Sequence, residues 1–580
     1  MPRRYGGCRD RMCRCTGKSF VSQPAKNRMI KKEGLIMKRF LSAALSLVLA
    51  ASFLSFASAE SDAKVLHWFI SGEITTMDTT KVYDTLSGEA VFLFADPLYR
   101  LDQNADPQPN LAVALPEISE DGTVYTITIR DDAKYANGES VKAEDVVYAV
   151  QRVFDPAVGS QNSSVTGIKN RLAVRAGELP LEELGVKAVS DTVLEITLEA
   201  ADPYFTKKLA DTSYSPIPKA FADEKGDAYA LAADALLSAG PYVLKGWTGT
   251  EISWSYVKNP YYWDAENVYF DEIIYQVVKD QNTALNLYEN GQLDGVNVSS
   301  DFIPLYEGQP DLVKISTLRM TNLEQNINQL QGDGSYTPHP VLSNENIRKA
   351  LLYGIDREEL CNEVLNGAAA PAVGVIPNGI ASSPDGQSVA ESFGVLVKFD
   401  PEAAREYLAK GLAELGVDGV KLRLVTSDTD ESIKIGTYLQ SEIQENLPGV
   451  IIDLANVPSS VRFAEMMGYN FDLALGGWTG DYDPTSYPNQ FETSYEHNHA
   501  KWVSEELTGF ISALNNEDGN DFAARWEHLK QANQYLIDNA VVIPLEQAVN
   551  GYLINPALEG YVTHQLGYSV FDLSRASFAE

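Results

Sequence analysis

The segment LAVALPEISEDGTVYTITIRDDAKYANGESVKAEDVVYAVQRVFDP, residues 111–156, changes its hydrophobic period once, and that change decides the fold. Tyr125, Ile127 and Ile129 alternate with Thr126, Thr128 and Arg130, the two-residue period of a strand with one face buried. Asp121-Gly122 and Asn137-Gly138 bracket that strand as turns. From Ala143 onward Val146, Val147, Val150 and Phe154 fall on one helical face, while Glu144 and Asp145 put negative charge at the positive end of the helix dipole. Asp155-Pro156 ends the helix, because the residue before a proline is pushed out of the α region. Strand, turn and helix together read as scaffold, with no chemically active residue among them.

N-terminal to this segment, Lys38 and Arg39 lead into an apolar run over residues 40–56 and then the small residues Ala57-Ser58-Ala59, the pattern of a secretory signal cut before Glu60. The run has about seventeen residues interrupted by serines, where a membrane span needs roughly twenty. Residues 1–36 do not fit a signal's short basic leader. Lys31-Lys32-Glu33-Gly34 is what a purine-rich ribosome-binding sequence spells when read as codons, so residues 1–36 are expected to be untranslated and 37–59 to be the signal peptide. Cys8, Cys13 and Cys15 supply three ligands where a structural zinc wants four, so no metal site is expected.

Removal of residues 1–59 takes away twelve basic and two acidic residues, leaving 34 basic against 78 acidic and a formal charge of −44. That balance argues against nucleic acid or anionic lipid as a partner. One cysteine, Cys361, remains and reads as an inert buried thiol in a helical pattern. The absence of a cysteine at the cleavage site leaves a lipid anchor without an attachment point, so a periplasmic or otherwise secreted protein is expected. The 521 remaining residues exceed what one core supports and suggest two or three domains. With no low-complexity linker between them, those domains are expected to share crossing strands.

Further blocks follow. Residues 273–278 read as a strand, 283–288 as a helix, and Gly291-Gln292-Leu293-Asp294 as a turn into another strand. In NIRKALLYGIDREELCNEVLNGAAAPAVGVIP, residues 346–377, Ile347, Leu351 and Ile355 form a helical stripe, Asp356 and Glu359 make a capping-box pattern, and Gly367 ends the second helix. These blocks, with the opening segment and SAGPYVLKGWTGTEISWSYVKNPYYW at 238–263, resemble bacterial extracellular solute-binding protein family 5, the substrate-binding subunits of oligopeptide and dipeptide ABC importers. Residues 238–263 are similar to the family's paired strands and "NPxYW" turn. Lys142 stands where the family usually places a capping Thr or Ser, so the cap of the following helix should be weaker.

The resemblance implies an α/β fold of the periplasmic-binding-protein type II kind, two lobes joined by a hinge with an extra domain beside the first. Lobe I would collect residues 60–95, 215–320 and 545–580, the extra domain 96–214, and lobe II 321–544. Ligand would be enclosed as the lobes close.

The candidate site is Gly476-Gly477-Trp478-Thr479-Gly480-Asp481-Tyr482-Asp483-Pro484, after a strand-like stretch at 471–475. Its composition also suits a loop of turn formers with solvated acids. As a site, the glycines at 476 and 477 would let an extended peptide approach an exposed strand and bond main chain to main chain alongside Thr479, and Trp478 would supply a rigid apolar wall. By resemblance, Asp481 is the acid of a "W-x-x-D-Y" motif that pairs with the ligand's α-ammonium. The first lobe would contribute Tyr83, Asp84 and Thr85, which align with residues that hydrogen-bond the ligand backbone, although Thr79 replaces the family's usual Pro. Leu475 stands where some relatives hold a short ligand's carboxylate with an Arg, so the carboxylate is held elsewhere, or the ligand is longer, or it is not a peptide. Asn326 and Asn328 lie in a polar stretch, 325–339, that reads either as a cleft edge or as a surface loop.

The expected partners are a peptide ligand and a membrane ABC permease, with the protein itself a monomer and no cofactor. Other readings are weaker. His497 and His499 form the only close histidine pair for a nickel or haem binder, a glycoside or opine ligand has no distinguishing motif, and a hydrolase has no G-x-S-x-G, H-E-x-x-H or P-loop to point to. A structural surface protein lacks repeats or an anchor.

Overall fold

Three sheets of four or more strands organise the chain, in a computed structural model that describes residues 63–579 except 334, 481, 494, 496, 497, 519, 520, 564, 566–568 and the side chains of 516 and 517. The expected upstream segment and signal peptide, with Cys8, Cys13 and Cys15, lie outside the described residues. Lys64–Glu580 is one compact unit.

The opening segment folds as its periodicity predicts. Val124–Thr128 is a strand in an antiparallel sheet with Glu117–Ile118, Val193–Thr197 and Val186–Ala188, and Gly122 and Gly138 take φ of 70° and 87° in the flanking turns. Helix Ala143–Phe154 buries Val146, Val147, Val150 and Phe154, each contributing roughly 1.5–3 kcal/mol of apolar burial. As expected of a lysine, Lys142 gives the helix no side-chain cap bond, its Nζ pairing instead with Asp191 at 3.0 Å, and the first turn is closed by the Lys142 backbone N–H donating to Asp145 Oδ2 at 2.9 Å.

Side chains of this region reach the rest of the molecule. Arg152 pairs with buried Asp78 at 2.7 Å, and Arg130 stacks 3.3 Å from the ring centroid of Trp263, the last residue of the NPYYW turn. On its other side the region also touches the chain near the C-terminus, where Tyr204 meets Phe522 edge to face.

A second sheet runs Val65–Ile70, Glu272–Val277, Ser253–Lys258, Tyr242–Lys245, with the first pair parallel and the others antiparallel. The expected hairpin at 238–263 and the expected strand at 273–278 are both in it. The third sheet has seven strands, ordered Gly295–Val298, Ile543–Ile554, Leu312–Gln325, Leu473–Thr479, Val420–Ser427, Val450–Val457, with Ala369–Pro371 added beside Ile543–Ile554.

Leu312–Gln325 and Ile543–Ile554 are the crossing strands. They pair antiparallel, and the end of each contributes to a different core: Leu312, Val313 and Ile315 pack with Tyr552 and Leu553, while Leu318, Met320 and Leu323 pack with Ile543 and Leu545. Between those ends the register slips twice, after Ser316 and after Thr321. A bulge of this kind bends the strand and increases its twist. Gln547 fills the gap, its Nε2 donating to Thr317 O at 2.7 Å and Asn378 O at 2.8 Å. The result is a mixed α/β fold of two lobes joined through shared strands.

In the 346–377 block, helix Glu345–Tyr353 buries Ile347 and Leu351. Ile355 is also buried but lies beyond the helix end at Gly354. Asp356 caps the next helix through the N–H groups of Glu358 and Glu359, whereas Glu359 accepts from Tyr438 and does not close the box. Gly367, at φ 73°, ends that segment, and Cys361 is fully buried with its thiol pushed up to about 12 by desolvation.

Candidate functional site

Two cavities, of about 480 and about 240 Å³, share one ion pair, Arg319 Nη2 to Glu431 Oε1 at 2.7 Å. Together they form a cleft whose floor is the pair of crossing strands.

The smaller cavity is walled by Gly476, Gly477, Trp478 and Thr479. These residues are strand, not turn: Leu473–Thr479 pairs along its whole length with Arg319–Gln325 of the crossing strand. On the opposite edge only Leu473 and Ala474 pair, with Leu424 and Val425. From Leu475 on, that edge has no strand partner among the described residues. Arg462 caps its start, Nη1 donating to Leu475 O at 2.7 Å and Nε to Ser427 Oγ at 2.9 Å. Because backbone groups alternate sides along a strand, the N–H and C=O of Gly477 and Thr479 point the same way as the Leu475 carbonyl. Both residues are exposed.

The glycines have a packing reason that sequence reasoning assigned to the ligand. A Cβ on Gly477 would lie 2.5 Å from the Met320 carbonyl oxygen, and one on Gly476 would lie 2.6 Å from Glu324 Cγ. The close neighbour is therefore the adjacent strand. Trp478 is half-buried and lines the cavity, with its ring edge-on to Tyr495 at 6.2 Å.

Asp481 lies outside the described residues. The residues on either side of it are firmly held. Gly480 N–H donates to Tyr487 Oη at 2.9 Å, and the same hydroxyl donates to Leu318 O on the crossing strand. Tyr482 is buried, and Asp483 pairs with buried Arg525 at 2.5 Å while accepting from Thr485.

Across the cleft, Thr85 lines the larger cavity. Asp84 caps helix Thr85–Val91, accepting from Ser87 N–H at 2.8 Å and from Thr75 Oγ1 at 2.6 Å. Partial burial alone would raise its pKa, but those hydrogen bonds outweigh it and hold the carboxylate below its usual range. Tyr83 is half exposed and does not line either cavity. Asn326 and Asn328 are structural staples, bonded to Tyr469 O, Phe471 O and Lys501 O, and are likewise absent from the cavity walls.

Sequence reasoning missed the charges. Arg319, Glu431, Glu89 and Glu546 line the larger cavity, and Arg462 lines the smaller one. Glu546 is 1% exposed, and neither of its oxygens makes a hydrogen bond of good geometry; the Thr321 side chain and the Arg319 charge only partly offset its burial. Desolvation pushes Glu546, Glu89 and the neighbouring Glu324 each up to about 7. One signal was available: Glu546 is a lone acid in VVIPLEQAV, residues 541–549, where only Gln547 is otherwise polar. Among the described residues no group of three His, Cys, Asp or Glu is placed to hold a metal ion; His497 lies outside them.

Two lobes sharing crossing strands, with an open strand edge in the cleft between them, define a solute-binding protein. The chain belongs to the bacterial extracellular solute-binding proteins, family 5, whose middle region matches residues 106–499. It is 31% identical over 553 residues to the dipeptide-binding protein of Lactococcus lactis subsp. cremoris, covering 93% of this chain and 100% of that one. It is 29% identical over 498 residues to the oligopeptide-binding protein OppA of Bacillus subtilis, covering 84% and 88%. Among solved structures, the substrate-binding domain of an oligopeptide ABC transporter from Bacillus anthracis matches with a TM-score of 0.66 and 34% identity, over 90% of this chain and 99% of that one. Listeria monocytogenes OppA bound to peptide matches with a TM-score of 0.64 and 31% identity, over 90% and 100%. Among the described residues no helix is long and apolar enough to cross a membrane.

Proposed function

We propose that this chain is the extracytoplasmic substrate-binding subunit of an ABC importer, that it encloses extended peptides between its lobes, and that it hands them to a membrane permease without making or breaking a bond. The observation that carries this reading is the edge of Leu473–Thr479, unpaired beyond Ala474 and open to the cleft, where Gly477 and Thr479 offer main-chain donors and acceptors to a peptide strand. Relatives named for dipeptide and oligopeptide binding support it.

In this reading Asp481 receives the ligand's α-ammonium, while Trp478 bounds the first side chain. Thr85 and the backbone around Tyr83 and Asp84 meet the ligand from the other lobe. In the same reading residues 60–95, 215–320 and 545–580 make lobe I, 96–214 the extra domain and 321–544 lobe II, and the hinge is assigned to the register slips between Ser316 and Asn322. The protein acts outside the cytoplasm, periplasmic or secreted, without a lipid anchor.

The reading is tested by extracting the protein with acid and sequencing whatever it carries by mass spectrometry, then incubating synthetic peptides with it. Recovered peptides, and synthetic peptides that bind intact, are expected. Cleavage of the peptides, or a bound solute of another class, contradicts the reading.

A further inference from the structure

The larger cavity is acidic inside. Three carboxylates line it, Glu89, Glu431 and Glu546, against one cation, Arg319, which Glu431 already engages at 2.7 Å. Glu546 lies on the crossing strand Ile543–Ile554, flanked by Thr321 on one neighbouring strand and Pro371 on the other. A buried carboxylate whose partners only partly offset its burial costs several kcal/mol to keep ionised, so this position is unfavourable in the empty protein. The elevation of Glu546 and Glu89 to about 7 is the same fact in another form. The rest of the wall is mixed: Ser71, Asn297, Ser299 and Asn550 are polar, while Phe69, Leu86, Tyr552 and Phe571 are apolar, with Tyr552 and Phe571 edge to face at 4.8 Å.

Acids and aromatic rings lining the same cavity match a cation carried on an apolar stem. A bare metal ion would find no use for the rings. An anionic or neutral polar side chain would leave the charge of Glu546 only partly offset.

We propose that this cavity is a side-chain subsite for a basic residue, lysine or arginine, of the bound peptide, with Glu546 as the counter-ion and Glu89 as the second acid. The proposal rests on the peptide-binding reading above, and it assigns the cation to a side chain and not to the peptide's α-ammonium. Glu431 is not available for this role while it holds Arg319.

The test is calorimetric titration with pentaalanine peptides carrying one lysine or one norleucine at each position in turn, each free and N-acetylated, against wild type and Glu546→Gln. At one position lysine should bind at least tenfold tighter than norleucine, in the free and the acetylated series alike. Glu546→Gln should bring that ratio to within about threefold, a difference of roughly 1.4 kcal/mol for each tenfold. No position favouring lysine, a ratio unchanged in Glu546→Gln, or a preference that disappears on acetylation each overturns the proposal. If no peptide of either series binds, the peptide-binding reading itself fails. The cavity is then judged by melting temperature in butylammonium chloride against sodium chloride at equal ionic strength. A rise in wild type that Glu546→Gln abolishes supports the acidic subsite, and no rise overturns it.

Discussion

Arg319 and Glu431, 112 positions apart in sequence, form the 2.7 Å ion pair at which the two chambers of the cleft meet. Both side chains are about half exposed, at 49% each, so solvent screens the pair and it adds little to stability. Its consequence is for the cleft: it engages the one guanidinium lining the larger chamber, so that Arg319 only partly offsets the charge of Glu546. Glu431→Gln should change unfolding free energy by no more than about 1 kcal/mol in urea titration. A larger loss would show the pair to be structural.

Glu546 also sets a pH dependence. Its folded pKa of about 7 lies above the ordinary 4.5, so its ionisation opposes folding. The cost is absent below the unfolded value near 4.5, grows as pH rises toward 7, and is complete above it. Glu546→Gln should therefore be more stable than wild type by about 3 kcal/mol at pH 8 and indistinguishable from it at pH 4. Denaturant melts at the two pH values measure this, and a gain that is the same at both would refute the assignment.

Arg152 comes from the helix of residues 111–156 and holds Asp78, which is also bonded by Thr80. Arg152→Ala strands a buried carboxylate and should destabilise the protein by about 3–5 kcal/mol. Ligand affinity of the folded variant should be unchanged, since neither residue lines the cleft. Calorimetric binding below the melting temperature separates the two effects.

Gly477 faces the Met320 carbonyl, so Gly477→Ala must push two paired strands apart. A loss of about 1–3 kcal/mol in stability is expected, with weakened peptide binding from the displaced edge. Retained stability, measured by thermal denaturation, would mean that the strand gives way without cost.

What the sequence made legible was what local chemistry sets. The switch from period two to a helical face at Ala143, the NPYYW turn, the capping by Asp356 and the stop at Gly367 all depend on near neighbours, and each is in the structure. The register slips between Ser316 and Asn322 were not legible, because they arise from pairing with a strand more than two hundred residues away. The same holds for the site. Gly476–Gly477 was visible as a place of close approach, but which backbone approaches is decided by a distant strand. Glu546 stood out only as an acid in an apolar run, and its meaning comes from Phe69, Leu86 and Phe571, which tertiary folding brings to it.

The central claim is that an extended peptide is held in the cleft with its α-ammonium on Asp481. Its most direct test is calorimetric titration of one peptide, free and N-acetylated, into wild type and Asp481→Ala. The account predicts that wild type binds the free peptide at least a hundredfold more tightly than the acetylated one, and that Asp481→Ala loses two to three decades for the free peptide, about 3–5 kcal/mol, and with it the discrimination. Equal binding of the two peptides by wild type would contradict it.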